Sequence, residues 1–268
     1  MTGPAELLVR IERTLDAIPR RPGVRAEAVG PFELFVRDRA GSPFYARPRL
    51  GATEFTAVDV EAVLARQREL GLPEAIEWVV DVTPGLLELI PAPLPVRLVP
   101  LMHLDPALLA PASGNEALLL DPAAPDFARY YAVSGAVATV GFGHPGTRIG
   151  PAGPAERDAE TRPVAPELLS ELAAARRVDA VMVDPVDGVV ARGTYQFALG
   201  AAEIVGVATL PAARRRGHAA AVTATLARHA LAHGNDLVFL SANDETVARM
   251  YERVGFRRAG TGAIAQFD

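Results

Sequence analysis

Residues 203–221 read EIVGVATLPAARRRGHAAA. The β-branched and small apolar run in Ala202–Thr209 predicts a strand. Pro211 stops strand pairing. A short turn follows with Arg214, Arg215, Arg216 and Gly217. A helix then opens on His218, Ala219, Ala220 and Ala221, with no bulky apolar residue in its first turn. N–H groups at a helix start have no partner within the helix. With the helix dipole they make an anion site. Gly217 lets the backbone approach a ligand, the alanines keep the approach clear and the arginines add charge. The pattern suits a diphosphate. No Gly-Lys-Ser/Thr follows, and a single glycine is too few for a dinucleotide fingerprint. An arginine cluster in front of an ordinary helix is the plain alternative.

The flanking sequence supplies the rest of a sheet protein. Downstream, His218–His233 predicts a helix ending at Gly234, Leu237–Leu240 a strand, and Asn243 or Asp244 the cap of a helix running to Val254 and Gly255. Phe256–Ile264 predicts a last strand. Upstream, Val178–Val183 and Val189–Tyr195 predict strands joined by an Asp-Pro…Asp-Gly turn. Pro166–Arg177 predicts a helix by its leucine spacing. Asp126–Ala138 predicts another. Eight of the fourteen residues in Gly141–Pro154 are Gly or Pro, which predicts a loop. Ala117–Asp121 predicts a short strand.

The N-terminal part predicts an amphipathic helix over 5–18, a strand pair at Phe32–Val36 and Phe44–Arg47, and a helix over Val58–Leu70 stopping at Gly71. A strand at Ile76–Asp81, a short helix after Thr83-Pro84 and a strand at Val96–Leu104 follow. The whole reads as an α/β protein with a mixed sheet. Two domains are expected, 1–112 and 115–268, joined near Asp105–Gly114. The run Val63-Leu64-Ala65-Arg66…Gly71 echoes Thr225-Leu226-Ala227-Arg228…Gly234, which predicts related folds in tandem.

Half of the chain is hydrophobic, enough for a sizeable core. A net charge of -5 argues against a general nucleic-acid binder. The absence of cysteine excludes disulfides, thiolate metal sites and a cysteine nucleophile. The opening residues lack a signal-peptide core, and no long uncharged apolar run predicts a spanning helix. A cytoplasmic protein without membrane association is expected. His103, His229 and His233 lack metal-ligand spacing, so no metal is expected.

Arg214-x-x-Gly217-x-Ala219 resembles the Arg/Gln-x-x-Gly-x-Gly/Ala signature of the GCN5-related N-acetyltransferase (GNAT) superfamily. The later run Leu240-Ser-Ala-Asn243…Tyr251-Glu-Arg-Val-Gly255-Phe256 is similar to that family's second motif, in the right order and separation. The resemblance covers about 115–268. It implies the acyl-CoA N-acyltransferase fold, with acetyl-CoA as cosubstrate and no metal. The backbone of Val207, Ala208 and Thr209 is then expected to hold the thioester and pantetheine. Arg214, Arg215, Arg216, Gly217, His218, Ala219 and Ala220 are expected to wrap the pyrophosphate, with the His218 side chain facing solvent.

The same resemblance makes Tyr251 the acid that protonates the departing thiolate, against the plain reading of a half-buried core tyrosine. It makes Glu203 the base for the acceptor amine, directly or through a water, against an exposed strand-end carboxylate. Asn243 is expected either to bind the pantetheine arm or to cap its helix. Phe142, His144, Thr147 and Arg148 are expected either to border an acceptor pocket or to belong to a plain connector. The acceptor is expected to be a small-molecule or peptide amine, and exposed sheet edges make a homodimer the expected assembly. The N-terminal half, which places Asp59 where a phosphate would sit, is expected to be a degenerate copy without cofactor. The alternative function is a non-catalytic acyl-CoA-binding regulatory module.

Overall fold

The computed structural model describes residues 3–38, 44–109 and 116–267. They form two compact units. The first comprises Met1–Met102, Ser241–Asp244 and Arg258–Asp268, and the second His103–Leu240 and Glu245–Arg257. The expected cut at 112–115 falls outside the described residues. A single cut does not separate the units, because the C-terminal strand contributes to the first.

In the first unit, helix α1 (Pro4–Ala17) buries Leu8, Ile11 and Leu15, as its spacing predicts. Strands β1 (Val24–Val29) and β2 (Phe32–Arg37) form an antiparallel hairpin in which Val29 faces Phe32. Gly30 at φ 55° supplies the positive angle of its two-residue turn. Strand β3 (Arg47–Pro48) pairs with β2. Helix α2 (Ala57–Glu69) leads to β4 (Ala75–Val79), a 3-10 turn at Pro84–Leu89 and β5 (Val96–Leu104). Phe32, Leu34, Val60, Leu64, Ile76 and Trp78 are the centre of its core.

The second unit carries β6 (Leu118–Leu119), α3 (Phe127–Gly143), α4 (Pro154–Glu160), α5 (Pro166–Ala174), β7 (Arg177–Asp184), β8 (Gly188–Ala198) and β9 (Ala201–Thr209). A 3-10 turn at Pro211–Ala213, α6 (His218–Ala232), β10 (Leu237–Ser241) and α7 (Glu245–Val254) follow. The last strand, β11 (Phe256–Gln266), pairs antiparallel with β4 over 262–266, setting Ala263 and Ala265 into the first core.

The strand order in the second unit is β6-β7-β8-β9-β10. The first three pairings are antiparallel and β9–β10 is parallel. Helix α6 covers one face: Tyr195 on β8 hydrogen-bonds His229, and Gly193 lies against Val222 and Leu226. Helix α3 covers the other, where Gly141 meets Ala208.

Two expectations for this half are corrected. The helix expected to stop at Ala138 continues to Gly143. Its glycines do not break it, because Gly141 is a contact point: a Cβ there would come 3.1 Å from the Ala208 side chain. The expected loop shrinks to 144–153 and is followed by α4, a short helix the sequence reading omitted. Among the described residues no helix is long and apolar enough to cross a membrane.

Candidate active site

Strand β9 is paired fully on one side and partly on the other. Towards β10 the pairing covers only Ala201 to Glu203 against Leu237 to Phe239. The edge from Ile204 to Thr209 therefore has no strand partner on that side. Towards β8, Arg192 faces Ala208 and Thr194 faces Val205, so Gly206 and Val207 together oppose Gly193. This is a β-bulge, and Gly206 at φ 62° supplies its left-handed residue. Gly193 is required for another reason. A Cβ there would sit 2.7 Å from Val222 Cγ1. The two glycines thus set the bulge and seat α6 beneath it. Val207 and Thr209 lie on the bulged, half-unpaired segment. The Thr209 hydroxyl is shielded from solvent and has no hydrogen-bond partner.

The strand then enters the arginine turn. Leu210 N–H donates to Val190 O at 2.9 Å, and Ala212 N–H to Ala152 O at 2.9 Å, which fixes both sides of the turn. Arg215 has φ 67° and Gly217 φ 82°. A Cβ on Gly217 would meet nothing within 4 Å, so the backbone angle, and not crowding, calls for glycine there. Helix α6 starts with no side-chain cap. Its first internal bond is Ala221 N–H to Gly217 O. Arg215, Arg216 and Gly217 are exposed, and His218, Ala219 and Ala220 half-buried.

Two side chains of the turn differ from expectation. The Arg214 guanidinium is turned away from the helix start. It donates to the carbonyls of Gly141 at 3.0 Å, His144 at 2.6 Å and Arg148 at 3.2 Å. It caps the C-terminal end of α3, where a cation is favoured. His218 does not face solvent freely. Both ring nitrogens are shielded and without a partner, and burial, followed by the charge of Arg216, pushes its pKa below the usual histidine range. Arg216 lies 3.9 Å from Asp187 in an exposed pair of little energetic weight. Buried polar atoms are almost always partnered in native proteins. Orphaned donors on Thr209 and His218, flanking an uncapped helix start, fit a ligand with a diphosphate and a polar arm.

Tyr251 on α7 is buried, not half-buried, and its ring packs on Phe256 at 6.0 Å. Burial pushes its hydroxyl well above the usual tyrosine range, so it stays protonated at any working pH. Glu203 is also buried, where the plain reading had it exposed. It accepts a hydrogen bond from Gln196 Nε2 at 2.9 Å across the β8–β9 pair. Asn243 lies in the first unit and is exposed. Its amide oxygen accepts a hydrogen bond from Arg97 at 2.8 Å. Phe142 and Arg148 are exposed, and Phe142 and Ile149 are large apolar side chains exposed on the same segment.

A model of the FR47-like protein family matches residues 193–263, the segment from the β8 glycine through β11. No curated protein matches the sequence. Among solved structures, a GCN5-related N-acetyltransferase from Kribbella flavida superposes with TM-score 0.69 at 20% identity, covering 97% of this chain and 96% of that one. The chain has the GCN5-related N-acetyltransferase fold. A GCN5-related N-acetyltransferase-like protein from Streptococcus suis shares it at TM-score 0.54 and 14% identity, over 99% of this chain and 100% of that one. One from Sphaerobacter thermophilus does so at TM-score 0.53 and 17% identity, over 98% and 92%.

In this N-acetyltransferase fold the sequence reading missed a row of polar residues on the α3 face of β8. Arg192, Thr194 and Gln196 recur at every second position. Such alternation ordinarily marks a solvated strand face. Here the face is covered, and the row is joined to Asp179 and Glu203 by hydrogen bonds.

Proposed function

We propose that this protein is an N-acetyltransferase that moves the acetyl group of acetyl-CoA directly to a primary amine of a small molecule or peptide. The observation that carries the reading is the run from a bulged strand with one unpaired edge into an uncapped, glycine-led helix. The unpaired edge offers backbone donors and acceptors to an extended arm in the manner of an added strand. The helix start offers N–H groups and a positive dipole end to the diphosphate. When bound, acetyl-CoA supplies an activated acyl group.

The chain's own residues supply the rest. Val207 N–H is the donor that polarises the thioester carbonyl, an oxyanion-hole role. Thr209 and His218 side chains, with the N–H groups of 217–220, hold the polar arm and diphosphate. An acceptor amine is mostly protonated near neutral pH and must lose a proton before attack. Glu203 takes it, directly or through one water, while Gln196 fixes the carboxylate. Tyr251, kept protonated by burial, gives its proton to the departing sulfur. No covalent enzyme intermediate is needed.

A thiol-release assay over a panel of amines tests the reading. On a good acceptor, Tyr251→Phe and Glu203→Gln are each expected to lower kcat by about 10²-fold, the lower end of what positioned acids and bases contribute. Unchanged rates in both variants would reject the assigned roles. Tight acetyl-CoA binding with no thiol release on any amine would favour the regulatory module instead.

A further inference from the structure

Arg192 lies on β8 opposite Ala208, on the face that α3 covers. Its side chain is only 12% exposed. Nη2 donates to Asp179 Oδ1 at 3.1 Å and also to Thr194 Oγ1. Thr194 in turn donates to Asp179 Oδ1 at 2.6 Å, and Arg177 Nε to Asp179 Oδ2 at 2.9 Å. The guanidinium is thereby clamped. Nη1, the free end of the fork, reaches Gly206 O in the β9 bulge at 3.3 Å. A Cβ at Gly206 would lie 2.8 Å from that nitrogen, so glycine is what lets the guanidinium close on the bulge. Nε is buried without a partner. An apolar side chain at 192 would avoid that unsatisfied donor and the burial of a charge. Core stability alone therefore does not account for an arginine here.

The peptide geometry supplies a role. The C=O of Gly206 and the N–H of Val207 belong to one planar trans peptide and point in opposite directions. Arg192 draws the carbonyl to the β8 side. The N–H of Val207 is then turned away from β8, to the edge that β10 leaves after Glu203. A cationic donor on the carbonyl oxygen also polarises the peptide and strengthens its N–H as a donor.

We propose that Arg192 is a positioning residue for acyl transfer, holding the Gly206–Val207 peptide so that Val207 N–H meets the thioester carbonyl. The inference rests on the acetyl-CoA reading above. Asp179 and Thr194 hold the guanidinium in place. Arg177 keeps Asp179 paired when Arg192 is replaced.

The test needs no acceptor. Acetyl-CoA labelled with 13C at the thioester carbonyl is bound at saturation, verified by thermal shift, and its carbonyl band is read by isotope-edited infrared difference spectroscopy. In the wild-type protein the band is expected below its position in water. In Arg192→Met it is expected to return at least half-way, and in Arg192→Lys, which keeps a cationic donor, to return less. Should Arg192→Met not fold, the charge-balanced pair Arg192→Met with Asp179→Asn replaces it. A band at one position in wild type and all folded variants overturns the inference. So does a wild-type band unmoved from water. Failure of the wild-type protein to bind acetyl-CoA sinks the function reading instead, and is seen first in the thermal shift. Once an acceptor is known, Arg192→Met is expected to lower kcat on the order of tenfold or more, as weakening an oxyanion donor does. KM for acetyl-CoA should stay within about twofold, since the donor's main effect is on the transition state and not on ground-state binding. A change confined to KM would overturn the positioning role.

Discussion

Helices α2 and α6 share their last turns and differ in their first. Each buries a leucine at the matching position, Leu64 and Leu226. Each sets the arginine two residues on against a glutamate, Arg66 with Glu27 at 2.6 Å and Arg228 with Glu116 at 2.7 Å. Each is followed by a left-handed glycine, Gly71 and Gly234, and then by a buried strand. At the N-terminal ends the likeness stops. Helix α2 is closed by a capping box: Thr56 Oγ1 accepts from Asp59 N–H, and Asp59 Oδ2 accepts from Thr56 N–H at 2.9 Å. Helix α6 has Gly217 in that place and no cap. The protein satisfies its own donors in one helix and leaves them without a side-chain cap in the other. A cap contributes roughly 1 kcal/mol, so the open end forgoes about that much stability in the ligand-free protein. The shared ends keep the tandem relation of the two halves as a proposal.

The most severe way to break this contrast is to close the open end. Gly217→Glu sets a carboxylate at the helix start and an L side chain at φ 82°. It is expected to weaken acetyl-CoA binding at least about 100-fold by titration calorimetry, through charge repulsion and a distorted backbone. Wild-type affinity in that variant would mean that the diphosphate is held elsewhere. The reciprocal change opens the closed end. Thr56→Ala is expected to cost about 1 kcal/mol in chemical denaturation and to leave acetyl-CoA affinity unchanged. A loss of affinity would show α2 to be part of the site.

The smallest effect concerns His218. In the ligand-free protein its pKa is held below the usual value of about 6.5, so its protonation opposes folding and stability falls as pH drops through that range. A bound diphosphate favours the charged ring and raises the pKa. By linkage, affinity must then rise as pH falls from 7.5 to 6, by about two- to fourfold, with the slope reduced in His218→Ala. Identical slopes in both proteins would remove His218 from the anion site.

Along the chain, the elements from β7 to β11 were legible to within a few residues. Apolar runs there are bounded by Gly or Pro, as at Pro211, Gly217, Gly234 and Gly255. Strand β1 was not legible. Its small and charged residues, VRAEAV, are half-buried at most and become a strand through pairing with β2. The continuation of α3 was misread because Gly141 looks like a breaker, and its contact with Ala208 lies 67 residues away in sequence. The glycine-led start of α6 was legible because helix-start physics is local. The parting of β9 from β10 was not, since no residue announces which neighbour a strand will lose. The carbonyls that Arg214 meets were not legible for a similar reason: an arginine does not show in sequence which acceptors it will find.

Those carbonyls have a mechanical consequence. One guanidinium spans Gly141, His144 and Arg148, so the arginine turn and the segment that bears Phe142 and Ile149 are tied by a side chain as well as by the backbone bonds Ala212 to Ala152 and Gly150 to Pro211. Any shift of the turn would pull directly on that segment. Under the proposed function, the shape offered to an incoming amine would in this way be geared to whether the donor is already seated.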